Sequence, residues 1–266
     1  MKSFINGMNM AWDDSGSGPA VCLIHGFPLD RRMWRPQVEA LAAAGYRVIT
    51  PDLRGFGESD APAGDYSMEL FSDDLDALFG HLAVERVVVA GMSMGGYILF
   101  NLLERHPQRV AAACFAVTRS GADDEAGKKR RQSLAREALD YGAQPVARVF
   151  AGMLLAAGTA EERPRLAEEV GAWMGEKSGV GLAGALVAMS GRKDYTPLLH
   201  RFRLPALVIG ADGDLAIPPE FARALAAGLP QGELCLIRDA GHLANLEQPL
   251  EFNHCLLEFL RALPPW

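Results

Sequence analysis

Short apolar runs closed by glycine, proline or aspartate recur along the chain. They alternate with longer stretches in which apolar residues return every three or four positions. Residues 20–24, 47–50, 86–90, 110–117, 206–209 and 233–237 are runs of the first kind, rich in Val, Ile, Leu and Ala. Unbroken apolar runs of this length predict strands covered on both faces. Residues 33–44, 66–82, 94–105, 219–227 and 249–263 carry the helical period, and Gly45 stops the first of them. Residues 4–12 read as a hairpin turning at Asn6-Gly7. Strand alternating with helix predicts an α/β domain, its sheet mostly parallel and flanked by helices on both faces.

The alternation breaks at residues 119–196. Residues 128–141, 145–156, 163–174 and 180–190 carry charged helical patterns, and no strand-like run lies among them. The expectation is a core of residues 1–118 and 197–266, with residues 119–196 forming a helical lid. An insertion at the carboxyl edge of a parallel sheet falls where such sheets bind ligands. Large apolar residues of the lid, Met153, Trp173 and Met189, are expected to contact substrate together with Phe27. Few charges accompany them, which points to an uncharged, partly apolar ligand of small to medium size.

Composition narrows the partners. A net charge of -7 and a pI near 5.4 oppose binding to phosphate backbones, so nucleic acid is excluded. The basic run Lys128-Lys129-Arg130-Arg131 opens a helical pattern and reads as a solvated face. No apolar stretch is long enough to span a bilayer, and the first residues lack the pattern of a signal peptide. Cys22, Cys114, Cys235 and Cys255 have no metal-ligand spacing, so neither a metal nor another cofactor is expected. Reduced thiols in a cytoplasmic protein, monomer or homodimer, are the expectation.

Three residues carry candidate chemistry. Gly91-Met92-Ser93-Met94-Gly95 follows the run Val87-Val88-Val89-Ala90 and leads at once into a helical pattern. A G-x-S-x-G turn in that context lifts a serine hydroxyl above the sheet at a helix N-terminus. Serine needs an adjacent base to act as a nucleophile. His242 lies in the loop between the last strand and the last helix, at the sheet edge that carries Ser93. Imidazole in turn needs a carboxylate to orient it. Asp212 and Asp214 both follow the run at 206–209; Asp214 is preferred because it opens a turn into a helix. The oxyanion hole calls for two N–H donors. Met94, next to the nucleophile, and Phe27, in the loop after residues 20–24, supply them; Pro28 has no N–H to offer. His25, at a strand end beside Gly26, reads as a brace for that loop.

The chain resembles the α/β-hydrolase family over residues 4–262. The resemblance rests on His25-Gly26-Phe27-Pro28, on the segment from Asp52 to Ser59, on Gly91-Met92-Ser93-Met94-Gly95, on Asp214 with Pro218, and on the run from Gly241 to Pro249. In detail it is similar to bacterial carboxylesterases and 3-oxoadipate enol-lactonase-like hydrolases. It implies the α/β-hydrolase fold, a Ser93–Asp214–His242 triad and hydrolysis of a small-molecule ester or lactone. Perhydrolases and C–C bond hydrolases share that triad, and ligand-sensing receptors share the fold.

Overall fold

The computed structural model describes residues 1–266. Eight strands form one sheet in the order β1-β2-β4-β3-β5-β6-β7-β8. They are β1 (Lys2–Ile5), β2 (Met8–Ser15), β3 (Ala20–Ile24), β4 (Arg47–Pro51), β5 (Val87–Met92), β6 (Val110–Ala116), β7 (Ala206–Ala211) and β8 (Gly232–Ile237). β1 and β2 pair antiparallel, as do β2 and β4; every other pairing is parallel. The first hairpin turns at Asn6 and Gly7, whose φ of 44° and 81° are the left-handed values that such turns need.

The central strands bury both faces because successive side chains point to opposite sides. Val87 and Val89 join one apolar core, and Val88, Ala90 and Met92 join the other. The first core packs under α2 (Met68–His81), α3 (Met94–Arg105) and α9 (Pro219–Gly228); the second packs under α1 (Arg35–Ala43) and α11 (Pro249–Ala262). Local signals set the helix ends. Ser67 caps α2 by accepting from the Leu70 N–H at 3.1 Å. Pro36 permits an α-helix only from the first turn onward, so α1 begins at Arg35 and Arg31–Trp34 forms a separate tight turn.

Between β6 and β7 the chain forms α4 (Glu125–Tyr141), α5 (Gln144–Ala151), α6 (Thr159–Glu162), α7 (Pro164–Gly175) and α8 (Gly179–Ser190), with no strand among them. The helix read from 145 to 156 stops earlier, at Gly152. The remaining helix, α10 (Ala244–Glu247), follows β8. One expectation fails. Cys235 of β8 and Cys255 of α11 form a disulfide, with Cα atoms 6.5 Å apart, whereas Cys22 and Cys114 are free and buried. The pairing arises because α11 packs back on the edge strand, a contact that a separation of 20 residues does not reveal. No helix is long and apolar enough to cross a membrane.

The tightest crossing lies at the end of β5. A Cβ on Gly91 would stand 2.3 Å from the Gly95 carbonyl oxygen, and one on Gly95 would stand 2.5 Å from that of Ile24. Both obstacles are backbone. Gly91→Ala is therefore expected to lower the unfolding free energy by about 1–3 kcal/mol, the usual range for overpacking. The denaturant midpoint measures this, and an unchanged midpoint would contradict the crossing.

Candidate active site

β5 delivers Ser93 into the turn before α3. Its backbone adopts φ 52° and ψ -112°, a conformation of the kind that surrounding structure must enforce. The enforcement is visible. The Ser93 N–H donates to the Ala116 carbonyl at 2.9 Å, and the Ser93 carbonyl accepts from the Gly96 N–H at 2.9 Å and from the Thr118 hydroxyl at 2.8 Å. The backbone is fully engaged, while the half-buried side chain stays at the head of α3.

β7 and β8 supply the partners. Asp214 and His242 are both buried, and His242 Nδ1 stands 2.8 Å from Asp214 Oδ2. The other oxygen, Oδ1, accepts from the Ala216 and Ile217 N–H groups at 2.8 and 2.9 Å. Those two bonds fix the carboxylate plane and leave Oδ2 to the imidazole. A carboxylate at Nδ1 selects the tautomer that carries its proton there, which leaves Nε2 as the acceptor. Asp212, the other candidate, is exposed.

The loop after β3 lies against the serine. A Cβ on Gly26 would stand 3.3 Å from the Ser93 Cβ. The Phe27 N–H has no acceptor within the protein, and the Met94 N–H, as the first of α3, has none within its helix. His25 braces this loop. Its Nε2 accepts from the Leu53 N–H at 3.0 Å, so Nδ1 carries the proton toward the Gly26 carbonyl at 3.1 Å. The segment from Asp52 to Ser59 completes the brace: the Ser59 hydroxyl donates to the Asp52 carbonyl at 2.7 Å and accepts from the Ala11 N–H at 2.8 Å.

Three residues that periodicity could not single out tie the loops to the inserted helices. Lys177, between α7 and α8, forms an ion pair with Asp30, and both side chains are almost fully buried. Burial alone would raise the Asp30 carboxyl, but hydrogen bonds from Arg32 and the nearby Lys177 ammonium hold it well below the usual carboxylate range. Glu247 is buried too. Its Oε1 accepts from the Gly241 N–H, next to His242, and its Oε2 accepts from the Ala156 N–H and the Thr159 hydroxyl, all at 2.8 Å.

The four residues expected to touch substrate separate. Phe27 is buried between Phe56 and Phe150, with centroids 6.1 and 5.1 Å away. Met153 lines a cavity of about 530 Å³ together with Phe150. Trp173 does not join them; it lines a different cavity, of about 740 Å³, with Arg32 stacked 5.5 Å above its ring. Met189 is core, buried on α8 where that helix packs against α4. Both sit on apolar helix faces, and helix–helix packing claims such faces first. The expectation of few charges also fails, because Arg119, Arg130 and Arg131 line the cavity that holds Met153.

A family model for the alpha/beta hydrolase fold matches residues 19–249. The chain belongs to that family. A thermophilic esterase from Thermogutta terrifontis, solved with malate bound, is 35% identical with a TM-score of 0.95, covering 98% of each chain. The enol-lactonase of Burkholderia xenovorans LB400 is 27% identical at a TM-score of 0.89, covering 98% of this chain and all (100%) of that one. A putative non-heme bromoperoxidase, BpoC, of Mycobacterium tuberculosis is 33% identical over 96% of this chain and 99% of its own length. The bifunctional epoxide hydrolase 2 of Rattus norvegicus is 28% identical over 96% of this chain, which spans only about half, 54%, of that protein.

Burial lowers the His25 pKa from 6.5 to about 4, against a smaller opposing effect of its bond to Gly26. A histidine depressed by folding contributes stability above its unfolded value and loses it as pH falls toward the folded one. Between pH 7 and pH 4 this residue is expected to remove about 3 kcal/mol of stability, at roughly 1.4 kcal/mol per unit. Denaturant midpoints for the wild type and His25→Gln are expected to converge over that range. A gap independent of pH would show that His25 is not held neutral.

Proposed function

We propose that the protein hydrolyses carboxylic esters or lactones through an acyl-enzyme on Ser93. The observation that carries this reading is the buried 2.8 Å contact of His242 with Asp214, on the sheet edge that also holds Ser93. As Ser93 Oγ attacks the substrate carbonyl, His242 Nε2 takes its proton, and the Phe27 and Met94 N–H groups receive the developing oxyanion. The imidazolium then protonates the departing alkoxide, and Asp214 stabilises its charge without itself gaining a proton. Water enters, gives a proton to His242, and attacks the acyl group; collapse returns Ser93 and releases the acid. Residues 119–196 act as the lid, tied down by Lys177 and Glu247 and excluding bulk water.

The esterase and enol-lactonase named among the similar structures support the choice of substrate. The similarity to a protein named as a bromoperoxidase favours a second use of the same intermediate. Hydrogen peroxide in place of water would convert the acyl-enzyme to a peroxy acid, with the same proton transfers.

Steady-state kinetics on a nitrophenyl ester test the assignment. Ser93→Ala and His242→Ala are each expected to lower kcat by about 10⁵- to 10⁶-fold, since such residues act as one unit. Asp214→Asn is expected to lower it by about 10⁴-fold. A larger loss in Asp212→Asn than in Asp214→Asn would overturn the choice of carboxylate, and a near-native rate in Ser93→Ala would overturn the mechanism.

A further inference from the structure

One carboxylate beside β6 faces three guanidiniums. Asp123 Oδ1 accepts from Arg119 Nη2 at 2.6 Å and from Arg192 Nη2 at 2.8 Å, and Oδ2 accepts from Arg131 Nε at 2.5 Å. Burial would raise the Asp123 carboxyl, but Arg192 and Arg131 outweigh it and keep the group ionised. The cluster therefore holds two positive charges that it does not balance, in a chain whose net charge is -7.

The three arginines are not equivalent. Arg192 is saturated: it donates to the Gly121 and Met189 carbonyls and lies 4.3 Å over the Tyr97 ring. Arg131 spends Nη1 on the Met189 sulfur at 3.4 Å. Arg119 keeps a buried Nε–H with no acceptor, as do the indole N–H groups of Trp12 and Trp34. Arg119 lines the cavity of about 530 Å³ together with Arg130, Arg131, Leu134, Phe150 and Met153, and the carboxylates of Asp123 and Glu137 line it too, leaving the arginines in excess by one.

Two residues that line the cavity, Phe150 and Arg119, neighbour the groups around Ser93. Phe150 packs edge-on against Phe27. Arg119 directly follows Thr118, whose hydroxyl holds the Ser93 carbonyl at 2.8 Å. Apolar side chains and an excess of arginine in one cavity suit a short chain that finishes in an anion, and guanidinium matches carboxylate in charge and in hydrogen-bond geometry. Asp123 engages only Nη2 of Arg119, whose guanidinium lies 5.5 Å over the Phe221 ring.

We propose that this cavity receives the acyl chain and that Arg119 binds a carboxylate at its far end, so that hemiesters of short dicarboxylic acids are preferred to uncharged esters of similar length. The proposal rests on the ester-hydrolase reading and reverses the expectation of an uncharged substrate.

The test compares the nitrophenyl hemiester of glutaric acid with nitrophenyl pentanoate. In the wild type the hemiester is expected to show a kcat/KM about 10-fold or more above that of the neutral ester, the usual strength of one charge-assisted hydrogen bond. Arg119→Gln is expected to lower that ratio by a similar factor, chiefly through KM, and Arg119→Lys to restore part of it. Raising the salt is expected to shrink the wild-type ratio. A wild-type ratio at or below one would overturn the proposal whatever the variants do. If neither ester turns over, the ester-hydrolase reading fails, and calorimetric titration with glutarate then decides the carboxylate site. Binding by wild type that is weakened about 10-fold in Arg119→Gln supports it; no binding sinks it.

Discussion

The site depends on how closely three stretches of backbone approach one another where β3 and β5 end. Gly91 and Gly95 leave no room for side chains, and Gly26 leaves little, between the turn at Ser93, the head of α3 and the loop after β3. That proximity imposes φ 52° on Ser93. It also carries the Phe27 and Met94 N–H groups to the side of the serine without committing either to a backbone partner. A strained residue persists only where its neighbours over-determine it, and the bonds to Ala116, Gly96 and Thr118 supply that determination.

The inserted helices are joined to this centre by buried polar contacts rather than by apolar packing alone. Lys177 reaches Asp30 in the loop that bears Phe27, and Glu247 links the His242 loop to Ala156 and Thr159. Breaking a buried pair from one side typically costs about 3–5 kcal/mol, because the other charge is left stranded. The inserted helices and the loops that bear Phe27 and His242 are therefore tied to one another. Asp123 plays a comparable part beside the cavity that holds Met153, where it gathers three arginines that would otherwise repel one another.

Much of this was legible in the sequence. Val87-Val88-Val89-Ala90 ahead of Gly91 marks a buried strand meeting a helix without a linker, and β5 and α3 follow that pattern. The position of His242 after the last strand placed it within reach of Asp214, and the structure brings the two together. What stayed hidden depends on tertiary direction. An apolar helix face does not say which neighbour it meets, so Trp173 and Met189 could not be separated from Met153. An arginine's place in the sequence does not say whether it turns inward; Arg119 and Arg192 both do, and both meet the buried carboxylate of Asp123. The Cys235–Cys255 pairing is likewise set by the packing of α11 on β8.

The central claim is that one hydroxyl, on Ser93, forms the covalent bond to the acyl group. Intact-mass and peptide mass spectrometry after a fluorophosphonate, a reagent that reports only an activated nucleophile, examine it directly. The account predicts a single adduct per chain on the peptide that contains Ser93, absent when His242 is replaced by alanine. An adduct on any other residue, or labelling of Ser93 at the same rate without His242, would contradict it.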